Sequence, residues 1–220
     1  MSQAMDPRSH WDAVYLATPP SEVSWFQPTA TRSLALIRRV ASNLDTPIID
    51  VGGGASTLVD DLLKASYDDV TVLDLSGVAL ATAQARLGPS AGRRVQWIEA
   101  DVRTAPLPRA KYGVWHDRAV FHFLTEAADR EAYVAQVRRA VRPGGYVLVS
   151  TFALNGPQRC SGLEVSRYSP AGLHAEFGAG FRLVAAEEEE HHTPSGVLQA
   201  FIYCLCRYDP PLSGAGQPHR

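Results

Sequence analysis

The segment from Pro47 to Ser56, PIIDVGGGAS, limits the folds open to this chain more than any other. Its apolar residues are typical of a strand buried on both faces, as in a parallel sheet. Gly52, Gly53 and Gly54 follow, and glycine lets the backbone turn sharply and approach a ligand with no Cβ between them. We predict a strand, a tight turn and a helix over about residues 55–65, the first unit of a doubly wound α/β domain.

A second acidic position predicts what kind of ligand this turn binds. The apolar segment Val70 to Leu75, VTVLDL, predicts the next strand and carries Asp74 near its end. In folds of this type a carboxylate after the second strand accepts hydrogen bonds from ribose hydroxyls. We therefore expect a nucleoside-containing cofactor, with an ordinary turn and a capping aspartate as the other interpretation.

The glycine spacing and the charge of Asp50 favour S-adenosylmethionine (SAM) over a dinucleotide. The dinucleotide fingerprint G-x-G-x-x-G requires a third glycine, and Thr57 stands at that position. The negative charge of Asp50 disfavours a pyrophosphate and favours a cationic group such as an α-ammonium. We predict SAM as cofactor and S-adenosylhomocysteine as product, with an NAD-dependent oxidoreductase as an alternative.

Composition restricts the class of partner. The 220 residues suffice for one sizeable core, and 21 basic against 23 acidic residues give a net charge of −2. The chain has no basic stripe and no apolar run of membrane-spanning length, so we expect neither nucleic acid nor membrane as partner. Its three cysteines lack metal-site spacing, so we expect no metal. We expect a cytoplasmic protein with a small-molecule substrate and leave the oligomeric state open.

Helical and strand patterns alternate along the chain as in βαβ units. The terminal tail is rich in Pro and Gly, a composition typical of disorder. We divide the chain into a helical lid and first helix (1–45), a core domain (46–208) and a disordered tail (209–220). Strands are predicted over 46–51, 70–74, 94–99, 112–116, 146–152, 181–190 and 199–208, and helices over 9–16, 28–44, 55–65, 77–87, 127–141 and 170–177.

Four motifs in this layout resemble class I SAM-dependent methyltransferases. They are DVGGGAS at Asp50, LDLS at Leu73, EADV at Glu99 and RPGG at Arg142. The resemblance implies a Rossmann-like α/β fold with a seven-stranded, mostly parallel sheet, an antiparallel terminal strand pair and helices on both faces. It also implies the site: the glycines underlie the methionine part of SAM and Asp74 holds the ribose, while the other residues expected at the cofactor are Leu75, Asp101 and Val102, the last two beside the adenine.

Within this superfamily the chain resembles the thiopurine methyltransferase branch, whose members act on thiols and on selenium or tellurium compounds. The resemblance departs at His116, which is inserted, and at Ala119, which replaces a glycine. It implies S-methylation of a thiol. The matching residues are Trp11, Tyr15, Trp25, Phe26, Gln27, Trp115, Asp117, Arg118, Asp129, Arg130, Tyr133 and the run Glu189 to His192.

An aromatic-rich segment precedes the first predicted strand. It contains Trp11, Tyr15, Trp25 and Phe26, and Pro19-Pro20 interrupts it. We predict a lid that closes over SAM and encloses a small apolar substrate, and we count Trp11, Tyr15 and Trp25 among the cofactor-binding residues. The alternative is a helix that packs its apolar side on the sheet.

The chemistry of methyl transfer indicates where to look for catalytic residues. The SAM sulfonium is already a strong electrophile, so the protein must chiefly align a nucleophile and exclude water. A nearby cation lowers the pKa of a thiol, and Arg118 follows the fourth strand at the ligand-binding edge of the sheet. His116 and His122 flank it as proton acceptors or as hydrogen-bonded structural residues. Asp117 either contacts the SAM amino group or caps a helix.

The sequence leaves other methyl acceptors open. Small class I enzymes also methylate protein lysines, for which we expect an open acidic groove. Arsenite methylation would use thiolates of Cys160, Cys204 and Cys206, although burial is the commoner fate of cysteine. The last alternative is a SAM-binding module without catalysis, against which the three acids Asp50, Asp74 and Asp101 argue.

Overall fold

The computed structural model describes residues 6–210, and its elements alternate as the sequence predicts. Residues 211–220 of the predicted disordered tail lie outside the described residues. The strands are β1 Ile48–Val51, β2 Val70–Asp74, β3 Val95–Glu99, β4 Tyr112–Arg118, β5 Val141–Phe152, β6 Arg159–Cys160, β7 Leu163–Glu164, β8 Phe181–His192 and β9 Leu198–Tyr208. The helices are α1 Pro7–Ala17, α2 Thr31–Val40, α3 Leu58–Lys64, α4 Gly77–Gly92, α5 Ala127–Ala140 and α6 Pro170–Phe177, with a 3₁₀ turn at Phe121–Phe123.

The main sheet has seven strands in the order β3-β2-β1-β4-β5-β9-β8. The first five are parallel, and β9 and β8 are antiparallel to their neighbours. The strand order reverses between β1 and β4, and ligands of open α/β sheets bind outside the carboxyl ends of the strands at such a reversal. The predicted Rossmann-like class I methyltransferase fold is confirmed.

Apolar side chains form a core on each face of the sheet. Ile49 and Trp115 belong to one core, with residues of α5 and α6, whereas Ile48 and Val114 belong to the other, with residues of α2 and α3. Successive side chains of a strand point to opposite faces, so a strand buried on both sides needs a continuous apolar run. This requirement explains the sequence of β1.

Some element boundaries differ from the predictions. Helix α3 begins at Leu58 because residues 55–57 belong to the turn after the glycines, and α4 continues to Gly92 across a kink at Gly88. Strand β5 begins at Val141 because Val141 pairs with Tyr112 of β4, and the RPGG segment lies in the register irregularity before Tyr146 pairs with Val114. The 3₁₀ turn and the short β6–β7 hairpin were not predicted.

Helix α1 lies over the carboxyl edge of the sheet. None of its residues is fully buried, and Asp6 caps its first turn by accepting a hydrogen bond of 3.2 Å from the Ser9 amide. Asp12 accepts a hydrogen bond of 2.5 Å from Ser76, at the start of α4. This contact joins the helix to the end of β2. In residues 6–210 no helix is both long and apolar enough to cross a membrane.

Candidate active site

Two adjoining cavities open at the carboxyl ends of the parallel strands. The larger encloses about 1130 Å³ and lies against the ends of β2 and β3, and the smaller encloses about 560 Å³ beside the glycine loop. Tyr15, Trp25, Gly52 and Arg118 line both. The sequence-predicted residues of the cofactor and of the acceptor side therefore meet where the cavities adjoin.

The glycine loop leaves no room for side chains. A Cβ on Gly52 would lie 1.9 Å from Val120 Cγ2, and Gly52 itself has φ +65°, which favours glycine. A Cβ on Gly53 would lie 2.6 Å from Asp50 Oδ2, and one on Gly54 2.7 Å from Asp74 Oδ2. Gly53 and Gly54 thus let the backbone approach the two carboxylates, and Gly52 lets it approach Val120.

Asp74 ends β2 and lines the larger cavity together with Leu75. Its side chain accepts a hydrogen bond of 2.8 Å from the Ser76 amide. Burial, with a further contribution from the charge of Asp50, raises the pKa of Asp74 to about 7. A buried carboxylate at this position is suited to accept hydrogen bonds from ribose hydroxyls.

Asp101 and Val102 line the far end of the larger cavity, as predicted for the adenine side. Arg103 contacts Asp101 through Nη2 at 2.5 Å and Asp129 through Nη1 at 2.5 Å. These hydrogen bonds hold the pKa of Asp101 below its usual value. The sequence analysis did not single out Arg103, although a base two residues after an acid is a local signal for such a pair.

Asp50 and His116 are hydrogen-bonded to each other beside the smaller cavity. His116 Nδ1 donates to Asp50 Oδ1 at 2.7 Å, and His116 Nε2 lies 2.9 Å from Ser33 Oγ. Asp50 Oδ2 is buried and has no hydrogen-bond partner within residues 6–210. Both ring nitrogens of His116 are thus occupied, which supports the structural interpretation rather than a proton acceptor for the substrate.

Arg118 is a largely buried cation that lines both cavities. Its Nε donates to Tyr203 Oη at 3.0 Å, its Nη1 donates to the Trp25 carbonyl oxygen at 3.0 Å, and its guanidinium lies 4.3 Å from the Phe201 ring centroid. Nη2 lies 3.7 Å from Glu189 Oε2, beyond hydrogen-bond distance. Nη2 is buried and has no hydrogen-bond partner in the described part of the chain.

Asp117 and His122, two of the residues expected at the site, lie outside both cavities. Asp117 accepts hydrogen bonds from Tyr133 at 2.6 Å and from the Val120 amide at 2.9 Å and lines neither cavity, which agrees with the capping interpretation. His122 also lies outside both linings, fully buried against Phe152. Burial lowers the pKa of His122 to about 3, so it is neutral at pH 7 and inaccessible to a substrate.

Aromatic side chains cover the larger cavity. The ring centroid of Trp11 lies 5.9 Å from that of Trp25 and 5.0 Å from that of Phe123, and Tyr15 lies 6.1 Å from Trp25, all edge to face. Phe123, from the 3₁₀ turn, was not predicted to take part, because its apolar surroundings in the sequence are typical of core.

The three cysteines do not converge. Cys160, from the β6–β7 hairpin, lines the larger cavity, and burial raises the pKa of its thiol. Cys204 donates to the Pro170 carbonyl oxygen at 3.5 Å, and both Cys204 and Cys206 belong to the core on the other face of the sheet. The arsenite alternative, which needed three thiolates together, is therefore wrong. Across residues 6–210 no three His, Cys, Asp or Glu side chains are placed to hold a metal ion.

Comparison with known proteins agrees with this fold. Residues 48–145 match the family described as "Methyltransferase domain". An uncharacterized methyltransferase of Mycobacterium tuberculosis is 30% identical over 105 residues, 48% of this chain and 50% of that protein. This chain thus spans about half the length of the first curated relatives it matches. The human EEF1A lysine methyltransferase 2 is 22% identical over 204 residues, 87% of this chain and 79% of that protein.

Solved structures share the fold over most of this chain. One, described by the conversion of a disulfide bond into a thioacetal group during echinomycin biosynthesis, has a TM-score of 0.72 at 20% identity and covers 92% of this chain and 93% of its own. Another is the 1,6-didemethyltoxoflavin-N1-methyltransferase of Burkholderia thailandensis with bound S-adenosylhomocysteine, with a TM-score of 0.64 at 20% identity, covering 81% and 78%. These solved structures share the fold of this chain.

Proposed function

We propose that this protein is a SAM-dependent methyltransferase that transfers a methyl group by in-line displacement to a small soft nucleophile, with a thiol as the favoured acceptor. One observation carries the acceptor assignment. The buried Arg118 guanidinium lies where the two cavities meet, and its Nη2 has no hydrogen-bond partner within residues 6–210. A buried N–H donor with a positive charge is complementary to an incoming thiolate.

The residues around the cavities fit SAM. Asp74 would hold the ribose, Leu75, Asp101 and Val102 would surround the adenine, and the unpartnered Asp50 Oδ2 would face the α-ammonium. When bound, SAM supplies an electrophilic methyl group that needs no further activation. The protein's own contribution is then alignment of the acceptor and exclusion of water.

Arg118 supports a thiol acceptor through electrostatics. A thiol in solution has a pKa of about 8.5, and a cation beside it increases the thiolate fraction at neutral pH. Tyr203 and the Trp25 carbonyl oxygen fix the guanidinium, so little reorganisation accompanies the reaction. Cys160 lines the same cavity, but its raised pKa keeps it protonated at neutral pH, so it does not compete as a thiolate.

The N-terminal segment supports a small, enclosed substrate. Trp11, Tyr15 and Trp25 cover the cavities, and α1 contributes no fully buried residue to the core. We propose that the part of residues 1–45 that precedes α2 acts as the lid of the core domain. A lid of this kind excludes water and limits the acceptor to a small molecule.

A protein lysine is the second candidate acceptor. The likeness to the human EEF1A lysine methyltransferase 2, which covers 87% of this chain and 79% of that protein, favours it. The described surface offers an acidic run in β8, of which Glu187 and Glu189 are paired with Arg32. A lysine acceptor would have to enter beneath the aromatic cover, so peptide and thiol acceptors test the two candidates directly.

The experiment begins with calorimetric titration of SAM and continues with a product-release screen over small thiols, selenols, small amines and lysine peptides. We expect binding of SAM and turnover with thiols. Turnover with lysine peptides alone would replace the thiol proposal by the lysine candidate. SAM binding without turnover of any acceptor would indicate a non-catalytic module, and failure to bind SAM would overturn the proposal as a whole.

A further inference from the structure

Three buried polar side chains from three different elements form one hydrogen-bonded chain beside the glycine loop. Ser33 belongs to α2, His116 to β4 and Asp50 to β1, and they are 1%, 3% and 3% exposed. His116 bonds to Asp50 Oδ1 at 2.7 Å through Nδ1 and to Ser33 Oγ at 2.9 Å through Nε2. Asp50 and His116 are direct partners in the register of β1 and β4.

The chemistry of the carboxylate fixes the direction of this chain at one end. An ionised carboxylate only accepts hydrogen bonds, so the proton in the hydrogen bond between His116 and Asp50 is carried by His116 Nδ1. In a neutral imidazole the other nitrogen is then an acceptor, and the Ser33 hydroxyl donates to it. Ser33 is buried, so its hydroxyl anchors the ring and is not an accessible nucleophile.

The second carboxylate oxygen of Asp50 takes no part in this hydrogen-bonded chain. Asp50 Oδ2 is buried without a hydrogen-bond partner in the part of the protein that the structure describes. A Cβ on Gly53 would lie 2.6 Å from that oxygen, and Asp50 and Gly53 both line the smaller cavity. A buried carboxylate oxygen without a donor is costly, which points to a ligand that supplies one.

We propose that His116, anchored by Ser33, is a positioning residue that fixes the Asp50 carboxylate so that its free Oδ2 receives the α-ammonium of the amino-acid arm of SAM. This inference rests on the proposed function and deepens it. His116 occupies Oδ1 and prevents rotation of the carboxylate, so the remaining acceptor lone pairs are directed to the cavity. Affinity for the amino-acid arm thereby depends on α2, which lies outside the strand-turn-helix unit that contains the glycines.

The test compares two ligands that differ in the amino-acid arm. S-adenosylhomocysteine carries the α-ammonium, whereas 5′-methylthioadenosine keeps the nucleoside and the sulfur but lacks the arm. In the variant His116→Gln the amide reaches the Nε2 position toward Ser33 but places no donor at the Nδ1 position. We expect its affinity for S-adenosylhomocysteine to fall about tenfold, which is the effect expected when one hydrogen bond to a charged group is displaced. We expect its affinity for 5′-methylthioadenosine to stay within about twofold.

His116→Asn is the matched control. Its shorter amide places an N–H donor at the Nδ1 position toward Asp50 and gives up the contact with Ser33, so we expect it to keep more affinity for S-adenosylhomocysteine than His116→Gln does. Ser33→Ala removes only the anchor, and we expect a smaller loss, again confined to the ligand with the arm. This variant keeps the test valid if a change at His116 prevents folding.

Calorimetry of the full-length chain separates the outcomes. Equal losses for both ligands in His116→Gln would show a merely structural role and overturn the inference, as would unchanged affinity for S-adenosylhomocysteine. A ligand-specific loss in His116→Gln or Ser33→Ala supports it. Failure of the wild-type protein to bind S-adenosylhomocysteine would instead refute the proposed function.

Discussion

Arg118 donates a hydrogen bond of 3.0 Å from Nη1 to the main-chain carbonyl oxygen of Trp25. Arg118 ends β4, whereas Trp25 belongs to the segment that covers both cavities. A second contact acts in parallel, because His191 of β8 donates to the Ser24 carbonyl oxygen at 2.8 Å. Hydrogen bonds from Arg118 and His191 therefore fix the segment of Ser24 and Trp25 above the cavities.

Replacing Arg118 by Ala should slow methylation of a thiol by about 10- to 100-fold, with much less effect on SAM affinity. The reason is that the residues expected to hold SAM lie mainly on β1, β2 and the end of β3, whereas Arg118, whose Nη2 has no hydrogen-bond partner within residues 6–210, is the residue proposed to contact the acceptor. Single-turnover rates and calorimetric SAM titration measure the two effects separately.

Thiols of different acidity distinguish charge stabilisation from loss of the contact with Trp25. If Arg118 stabilises the thiolate, the loss of rate in Arg118→Ala is smaller for an acidic aromatic thiol than for an aliphatic one, since the acidic thiol ionises unaided. A loss of equal size for both thiols, or an equal loss in SAM affinity and in rate, would contradict the role given to Arg118.

Asp74→Asn should change how stability depends on pH. The pKa of Asp74 is raised by burial from 3.8 to about 7 in the folded protein. The folded state therefore binds more protons than the unfolded state between these values, and the contribution of Asp74 to the free energy of unfolding is complete below about pH 4 and is lost as the pH rises through about 7. Urea unfolding of the wild-type protein and the variant from pH 4 to 8 should show a flatter profile for the variant.

Asp117→Asn is the control for this measurement, because burial also raises the pKa of Asp117, to about 6. The difference in unfolding free energy between the wild-type protein and Asp117→Asn should stop changing at a lower pH than the corresponding difference for Asp74→Asn.

Asp74→Asn should also weaken binding of 5′-methylthioadenosine, because the amide offers the ribose hydroxyls one acceptor oxygen in place of two. Unchanged nucleoside affinity would remove Asp74 from the ribose site.

His122→Phe should leave the pH dependence of turnover unchanged. The ring is buried and its pKa is lowered to about 3, so it does not exchange protons with a substrate at neutral pH. A lowered histidine pKa contributes stability that is present above about pH 6.5 and lost as the pH falls toward 3. The variant should therefore unfold at lower pH than the wild-type protein, and the disappearance of an ionisation from its pH–rate profile would contradict this.

Ala119→Gly should stabilise the protein by about 1 kcal/mol, since an L-residue in the left-handed region is strained by about that amount. Ala119 has φ +72° and follows Arg118 directly. Chemical denaturation measures the change, and Ala135→Gly on the exposed face of α5 should lower stability by a similar amount. If Ala119→Gly instead lowers the free energy of unfolding, the positive φ of Ala119 does not strain the folded protein and the prediction is wrong.

The local sequence predicted most of the fold because its signals are local. The apolar run of β1, the three glycines and the acid at the end of β2 each follow from the burial and backbone freedom of neighbouring residues. The start of β5 at Val141 could not be predicted in this way, because it depends on the pairing of Val141 with Tyr112 of the neighbouring strand. The β6–β7 hairpin is likewise too short to leave a periodic pattern.

At the site, the sequence pointed to Gly52, Gly53, Asp50, Asp74, Asp101 and Arg118, which line the two cavities at or just beyond strand ends, where ligands of such sheets bind. Asp117 and His122 lie close to Arg118 in the chain but not in either cavity. Strand alternation and the 3₁₀ turn direct their side chains into the interior.

The sequence by itself determined the doubly wound sheet and the kind of cofactor, because hydrophobic periodicity, glycine freedom and the charge of a single acid act over a few residues. Only the tertiary structure decided which polar residues share a site. It brought Ser33 of α2 to His116 and Tyr203 of β9 to Arg118, contacts between residues 83 and 85 positions apart. Such contacts depend on how helices and strands pack against one another, and no local pattern in the chain records them.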